Sequence, residues 1–196
     1  MTIFKELITK GVQSNQIPAR TKQARDWYRN NAQRVGATPT KLLRTADKSV
    51  SSQGIRPGAM YMFLYDPKTK QDLPYYDKFP VIFPIDKLSD GFLGLNFHYL
   101  PYRMRAMLMD ALYEIVTDTR YDDRTRIRIS YERCKQMSSL KLYKPTIKRY
   151  LNSHIKSRLI SVHASEWDIA LFLPVERFQK ANKGKVWRDS QRMFKR

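Results

Sequence analysis

Few residues of this 196-residue chain have side chains suited to catalysis. The three histidines, His98, His154 and His163, fall on two expected strands and an expected helix, and no two have metal-ligand spacing. The single cysteine, Cys134, lies between Arg133 and Lys135. Basic neighbours lower a thiol pKa, but no base is spaced to pair with it, so a packed thiol is expected. One cysteine also excludes an internal disulfide or a cysteine-built zinc site. Asp66, Asp77, Asp86 and Asp90 invite a nuclease reading, because clustered carboxylates hold divalent ions. Each sits at a turn or strand end, where an aspartate caps the backbone. Gly91-Phe-Leu-Gly94 lacks the spacing, and the following helix, of a phosphate-cradling loop. The sequence therefore predicts no catalytic residue, no metal site, no cofactor and no small-molecule substrate.

What the chain has in excess is positive charge. Lys and Arg number 37 against 18 Asp and Glu, a net +19 at pH 7. The charge is uneven: +7 over residues 1–54, zero over 55–100 and +12 over 101–196. The aromatic share of 12% is too high for a disordered polycation. These numbers predict a folded neutral middle flanked by basic regions, with a polyanion as partner. DNA or RNA is the first candidate, since cationic side chains release condensed counterions from phosphates. An acidic protein surface is the second. No run approaches the ~18 apolar residues of a membrane span. The first ten residues include Lys5, Glu6 and Lys10 and lack a secretory h-region. The expected compartment is reducing and intracellular, or the inside of an assembly made there.

The elements that must position these groups follow from periodicity. Helical spacing is expected near 1–16, 21–35, 39–46 and 102–117, the second opening at Pro18 and Thr21 and placing Lys22, Arg25 and Arg29 on one face. Residues 60–65, 79–85 and 92–99 read as strands, with Pro80 and Pro84 confining the second to an edge or its ends. Residues 118–129 are dense in charge and expected to be exposed; 131–140 is expected helical. A helix is expected over 145–157, with Lys144, Lys148, Arg149 and Lys156 outward. Residues 158–163 and 167–173 read as two further strands joined as a hairpin. The expected fold is α+β: a small SH3-like or related β-barrel of about five short strands, with inserted helices and basic helical arms at both ends. The expected division is an arm at 1–54, a core at 55–174 and a basic tail at 175–196, with Phe178, Trp187 and Phe194 interleaved in the tail.

Three stretches are peculiar in composition: Pro57-Gly-x-Met-Tyr-Met-Phe-x-Tyr-Asp-Pro-Lys-Thr-Lys70, Leu73-Pro-Tyr-Tyr-Asp-x-Phe-Pro80, and Gly91-Phe-Leu-Gly-Leu-Asn-Phe-His-Tyr-Leu-Pro101. With Trp167-x-x-Ala-x-Phe-Leu-Pro174, Val186-Trp187 and Ser190, they resemble a small virion protein family of T-even-like tailed phages, the DNA end protector and structural protein group. The resemblance covers about 57–101 well and 145–190 loosely. It implies a protein that travels with the packaged genome, binds its terminus and shields it from host exonuclease after injection. It transfers no binding residue.

Two functions are therefore expected. One is a non-enzymatic virion protein on double-stranded DNA, with largely sequence-independent phosphate contacts from Arg25, Arg29, Lys144, Lys148, Arg149, Lys156, Lys183, Lys185 and Arg188. The other is a structural component of the tail, baseplate or neck, its basic arms on acidic portal, neck or tail subunits. Tyr75 and Tyr76, in a proline-bounded loop, are expected to dock a protein neighbour or to stack on bases.

Overall fold

The computed structural model describes residues 1–16, 21–118 and 120–194. Pro18 lies outside them, as do the side chains of Ile115 and Phe194. The helices begin where short polar side chains satisfy free amides. Thr2, Thr21 and Thr38 cap α1 (Ile3–Gln13), α2 (Lys22–Arg34) and α3 (Pro39–Thr45), each hydroxyl accepting from an amide three residues on. Asp122 caps α5 (Asp123–Ser139) in the same way. α4 spans Tyr102–Thr117.

The strands are β1 (Ser49–Val50), β2 (Met60–Met62), β3 (Tyr76–Asp77), β4 (Val81–Leu88), β5 (Gly91–Asn96), β6 (Ile147–Leu151), β7 (Leu159–Val162) and β8 (Phe178–Gln179). Six form one antiparallel sheet in the order β1-β7-β2-β4-β5-β6, and β3 pairs with β8 in a separate ribbon. The sheet is open; the expected closed barrel is not formed among the described residues. The two-residue alternation divides its side chains. Met60, Met62, Val81, Phe83, Leu95, Ile160 and Val162 face a large core shared with helices. Tyr61, Phe63, Ile82, Phe92, Tyr150 and Leu159 build a smaller, mostly aromatic cluster on the other face. Pro84 sits inside the central strand β4, not at its end. The β4–β5 register shifts between Pro84 and Asp86, and the Pro84 carbonyl accepts from the Gly58 amide on the side away from β5, so the missing amide is not one that β5 needs.

Four expectations are corrected. Residues 145–157 form β6 between short 3-10 turns, not a helix. The apolar spacing suits both, and five-residue pairing with β5 decides for the strand. Residues 167–173 open with the single helical turn α6 (Trp167–Ala170), not a strand. The run is buried throughout, and apolar runs of that kind do not distinguish strand from helix. A capping box between His163 and Glu166 starts the turn and removes the expected hairpin. α5 begins eight residues before the expected 131, where Asp122 caps it, and it buries Ser130, Cys134 and Met137 at helical spacing. The basic ends also pack: α1 and α2 give Ile3, Phe4, Leu7 and Tyr28 to the large core, and α7 (Lys183–Phe194) buries Val186 and Ser190.

Gly91 marks a close backbone approach in the sheet. A Cβ there would overlap the Tyr150 carbonyl oxygen across the β5–β6 ladder. Gly91→Ala is expected to cost about 1–3 kcal/mol by forcing the edge strand away. A urea titration reads that loss, and a midpoint equal to wild type contradicts the pairing.

Candidate nucleic-acid interface

The chemistry-bearing residues are used for structure. Asp66 pairs with Lys70 at 3.0 Å, Asp86 with Lys135 at 2.5 Å and Asp90 with Arg149 at 2.7 Å. Asp77 is buried against His98, with Nδ1 2.6 Å from Oδ2. No group of three or more His, Cys, Asp or Glu side chains able to hold a metal ion forms among the described residues. His154 Nδ1 lies 2.8 Å from the Asp66 carbonyl, and His163 caps the turn before α6. Burial pushes the Cys134 thiol up to about 12, so it is an inert packed group.

The expected contact residues divide between two places. Arg25 is only 8% exposed; its Nη2 meets Asp110 at 3.0 Å and Asp168 at 3.5 Å, and its guanidinium lies over Phe172. Arg29 pairs with Asp26 at 2.6 Å and lies over the Tyr102 ring. These two arginines knit α2 to the core. Lys183 joins Arg29 there, its ammonium 5.8 Å from the Tyr102 ring centre.

The other residues meet around β6. Because residues 147–151 are a strand, Lys148 shares a face with Tyr150 and points into an aromatic recess. The cavity holds about 510 Å³ and is walled by Tyr65, Tyr75, Tyr76, Tyr99 and Tyr150, with Lys68, Lys148 and Arg149 among its lining. The Lys148 ammonium sits 4.1 Å above the Tyr99 ring, and the Tyr75 ring is 6.0 Å from Tyr99. From α7, Lys185 reaches within 5.9 Å of the Tyr75 ring. The 3-10 turn Lys141–Thr146, which carries Lys144, packs against α7, which carries Lys185 and Arg188. Lys156 lies on the opposite flank, near Asp66. Lys144, Arg149, Lys156, Lys185 and Arg188 are exposed and Lys148 is half-buried. Tyr75 and Tyr76 are half-buried walls and not a protruding platform. Burial lowers the Lys148 ammonium to about 8, and no ion pair offsets it among the described residues.

A buried polar network fixes the cavity floor. Asn96 Nδ2 donates to Asp77 Oδ2 and to the Tyr150 hydroxyl, each at 3.1 Å. Asp77 Oδ1 accepts from the amides of Phe79 and Arg177. Burial pushes the Asp77 carboxyl up, but His98, Asn96 and the Phe79 amide outweigh it and hold it below its usual range. Behind this network stands Arg105, fully buried. It donates to the carbonyls of Leu100, Leu171 and His98 and meets Glu176 at 2.7 Å. Trp187 Nε1 also donates to the His98 carbonyl, at 2.8 Å, which docks α7 on the same support. Sequence reasoning missed this support. Its one visible signal is that Asp77 follows Tyr75-Tyr76 and His98 precedes Tyr99, in two separate aromatic stretches.

Glu176 makes the support acid-sensitive. Burial alone would raise its pKa, but Arg105 and then His98 outweigh that and hold it at about 2, against an ordinary 4.5. A depressed carboxylate contributes stability that is complete above the unfolded value and lost as pH falls through the folded one. About 3 kcal/mol should therefore be lost between pH 4.5 and 2. Denaturation of wild type and Glu176→Gln across that window checks it; parallel curves contradict it.

A larger cavity of about 1070 Å³ lies among α1, α3, β1 and β7. Its lining carries charges of both signs, with Lys5 paired to Asp47 at 2.6 Å. Its aromatic lining, Phe4, Tyr61 and Trp167, is buried.

Comparison with known proteins adds one finding. The family model described as Phage T4 terminal DNA protecting protein matches residues 2–195. No curated protein and no solved structure matches the chain.

Proposed function

The chain belongs to the family of the phage T4 terminal DNA protecting protein, and from that premise we propose that it binds the ends of double-stranded DNA without cleaving them, through the basic face around β6 and α7. The observation that supports this reading is that Lys68, Lys148 and Arg149 line one aromatic cavity and Lys185 reaches its Tyr75 wall, with Lys144, Lys156 and Arg188 exposed on the neighbouring turns and α7. Phosphate contacts of this kind position a duplex without reading its sequence. The tyrosine walls supply what a generic polycation lacks, a surface on which exposed bases stack. A duplex exposes base faces only at its ends, so a basic face with an aromatic recess favours a terminus over an interior stretch. A protein seated there denies an exonuclease the terminus, which is protection without chemistry. Lys183 and Arg29 extend the basic surface past Tyr102, while Arg25 is committed to its carboxylates.

Binding of the purified chain to a blunt linear duplex, and to the same DNA as a closed circle, tests this. At ~200 mM salt the counterion-release contribution is much reduced, and the linear form is expected to keep its advantage in competition with circles. Equal binding to both forms, erased by salt, overturns the end-binding reading. It would favour a structural tail, baseplate or neck component whose basic surface meets acidic subunits.

A further inference from the structure

We propose that the cavity beside β6 receives the last nucleotide of a DNA strand, its base unstacked from the duplex and laid against the half-buried Tyr75 and Tyr76, its phosphate on Lys148 and Arg149. This rests on the DNA-end reading above and specifies which part of the end is held.

Three observations carry it. The first is shape and lining. About 510 Å³ walled by tyrosines falls within the roughly 300–1,000 Å³ typical of pockets for single small ligands. That is room for one nucleotide. The second is Lys148. It is half-buried in an aromatic recess and has no ion pair among the described residues. A desolvated cation without a carboxylate is costly unless an anion completes it, and a terminal phosphate at the cavity mouth does so. Arg149 stands on the rim, paired to the exposed Asp90, and a phosphate competes for it on equal terms with that carboxylate. The third is the floor. Asp77, Asn96 and Tyr150 satisfy one another, so the walls are held in place before any ligand arrives.

The energetics favour a terminus. Unstacking a base costs least where pairing is already weakest, at a frayed end. Stacking on aromatic side chains returns part of that cost for any base. A closed circle presents phosphates to the basic face but no nucleotide free to enter.

The test uses the full chain and two duplexes of one sequence and length. One has open blunt ends. The other has both ends closed by hexaethylene glycol linkers, which tether the last nucleotides. Wild type is expected to bind the open duplex about tenfold tighter, the scale of one stacked base. Tyr75→Ala and Lys148→Met are expected to reduce that ratio to about twofold or less. Lys148→Met keeps the volume and removes a desolvated charge, so its melting temperature should be no lower than wild type; a lost ratio then reflects the site and not unfolding. As a direct probe, thymidine 5′-monophosphate should quench tyrosine fluorescence of wild type and not of Lys148→Met. Equal affinity of wild type for the two duplexes, or a ratio that Lys148→Met leaves intact, overturns the nucleotide site while DNA binding stands. Absence of binding to either duplex overturns the DNA-end reading and this proposal with it.

Discussion

Replacing Lys144, Lys156, Lys185 and Arg188 together by glutamine is expected to weaken binding to linear duplex DNA by two to three orders of magnitude near ~0.1 M salt. The argument is one of counterions. Each lysine or arginine that neutralises a phosphate contributes about 0.9 to the slope of log affinity against log salt. Four lost contacts should flatten that slope by three to four units, a signature that unfolding does not mimic. All four residues are exposed; Lys144 lies in the 3-10 turn before β6, Lys156 just beyond the turn that follows it, and Lys185 and Arg188 on α7. None takes part in the buried network, so melting should stay close to wild type. An unchanged slope contradicts the placement of the DNA on this face.

The largest stability effect is expected at Arg105. Arg105→Ala should lower the unfolding free energy by about 3–5 kcal/mol, the cost of leaving a buried charge unpaired. Glu176, 3% exposed, would lose its partner, and the Leu100, Leu171 and His98 carbonyls would lose a donor. For a chain of this size that is a fall in melting temperature of roughly 10 °C. Combining Arg105→Met with Glu176→Leu should recover much of the loss, because removing both charges spares the penalty of isolating one. A single substitution that melts within about 2 °C of wild type contradicts the reading of Arg105 as the support for α7 and the cavity floor. Because Trp187 and Arg105 share the His98 carbonyl, the same variant should also loosen α7 and lower DNA affinity.

Much of this architecture is legible from the residues in order. Threonine caps and three-to-four spacing place α2, α3 and α4 within a residue or two. Aromatic and β-branched runs locate β2, β4, β5 and β7. What is not legible depends on partners far along the chain. Ile147, Tyr150 and Leu151 suit a helix as well as a strand, and only Gly91–Leu95 decides. That decision moves Lys148 from an expected solvent face into the tyrosine recess. The Trp167–Leu173 run is buried on every side, which erases the alternation that separates strand from helix. Arg25 looks like a free cation until Asp110 and Asp168, more than 80 residues away, are placed beside it. The basic excess and the Tyr75–Tyr76 loop point to the partner class, but the cavity joining them needs β6, the Tyr99 turn and α7 assembled together.

The central claim is that the β6–α7 face, and its cavity in particular, holds the end of a DNA duplex. The most direct measurement is photocrosslinking with duplexes carrying a reactive base either at the terminal position or deep in the interior, followed by mass-spectrometric mapping. The terminal label is expected to attach at Tyr75 or Tyr76, and the interior label at α7 or the turn around Lys144. Attachment of both labels to the same sites, or of either to the α1–β1 cavity, would contradict the account.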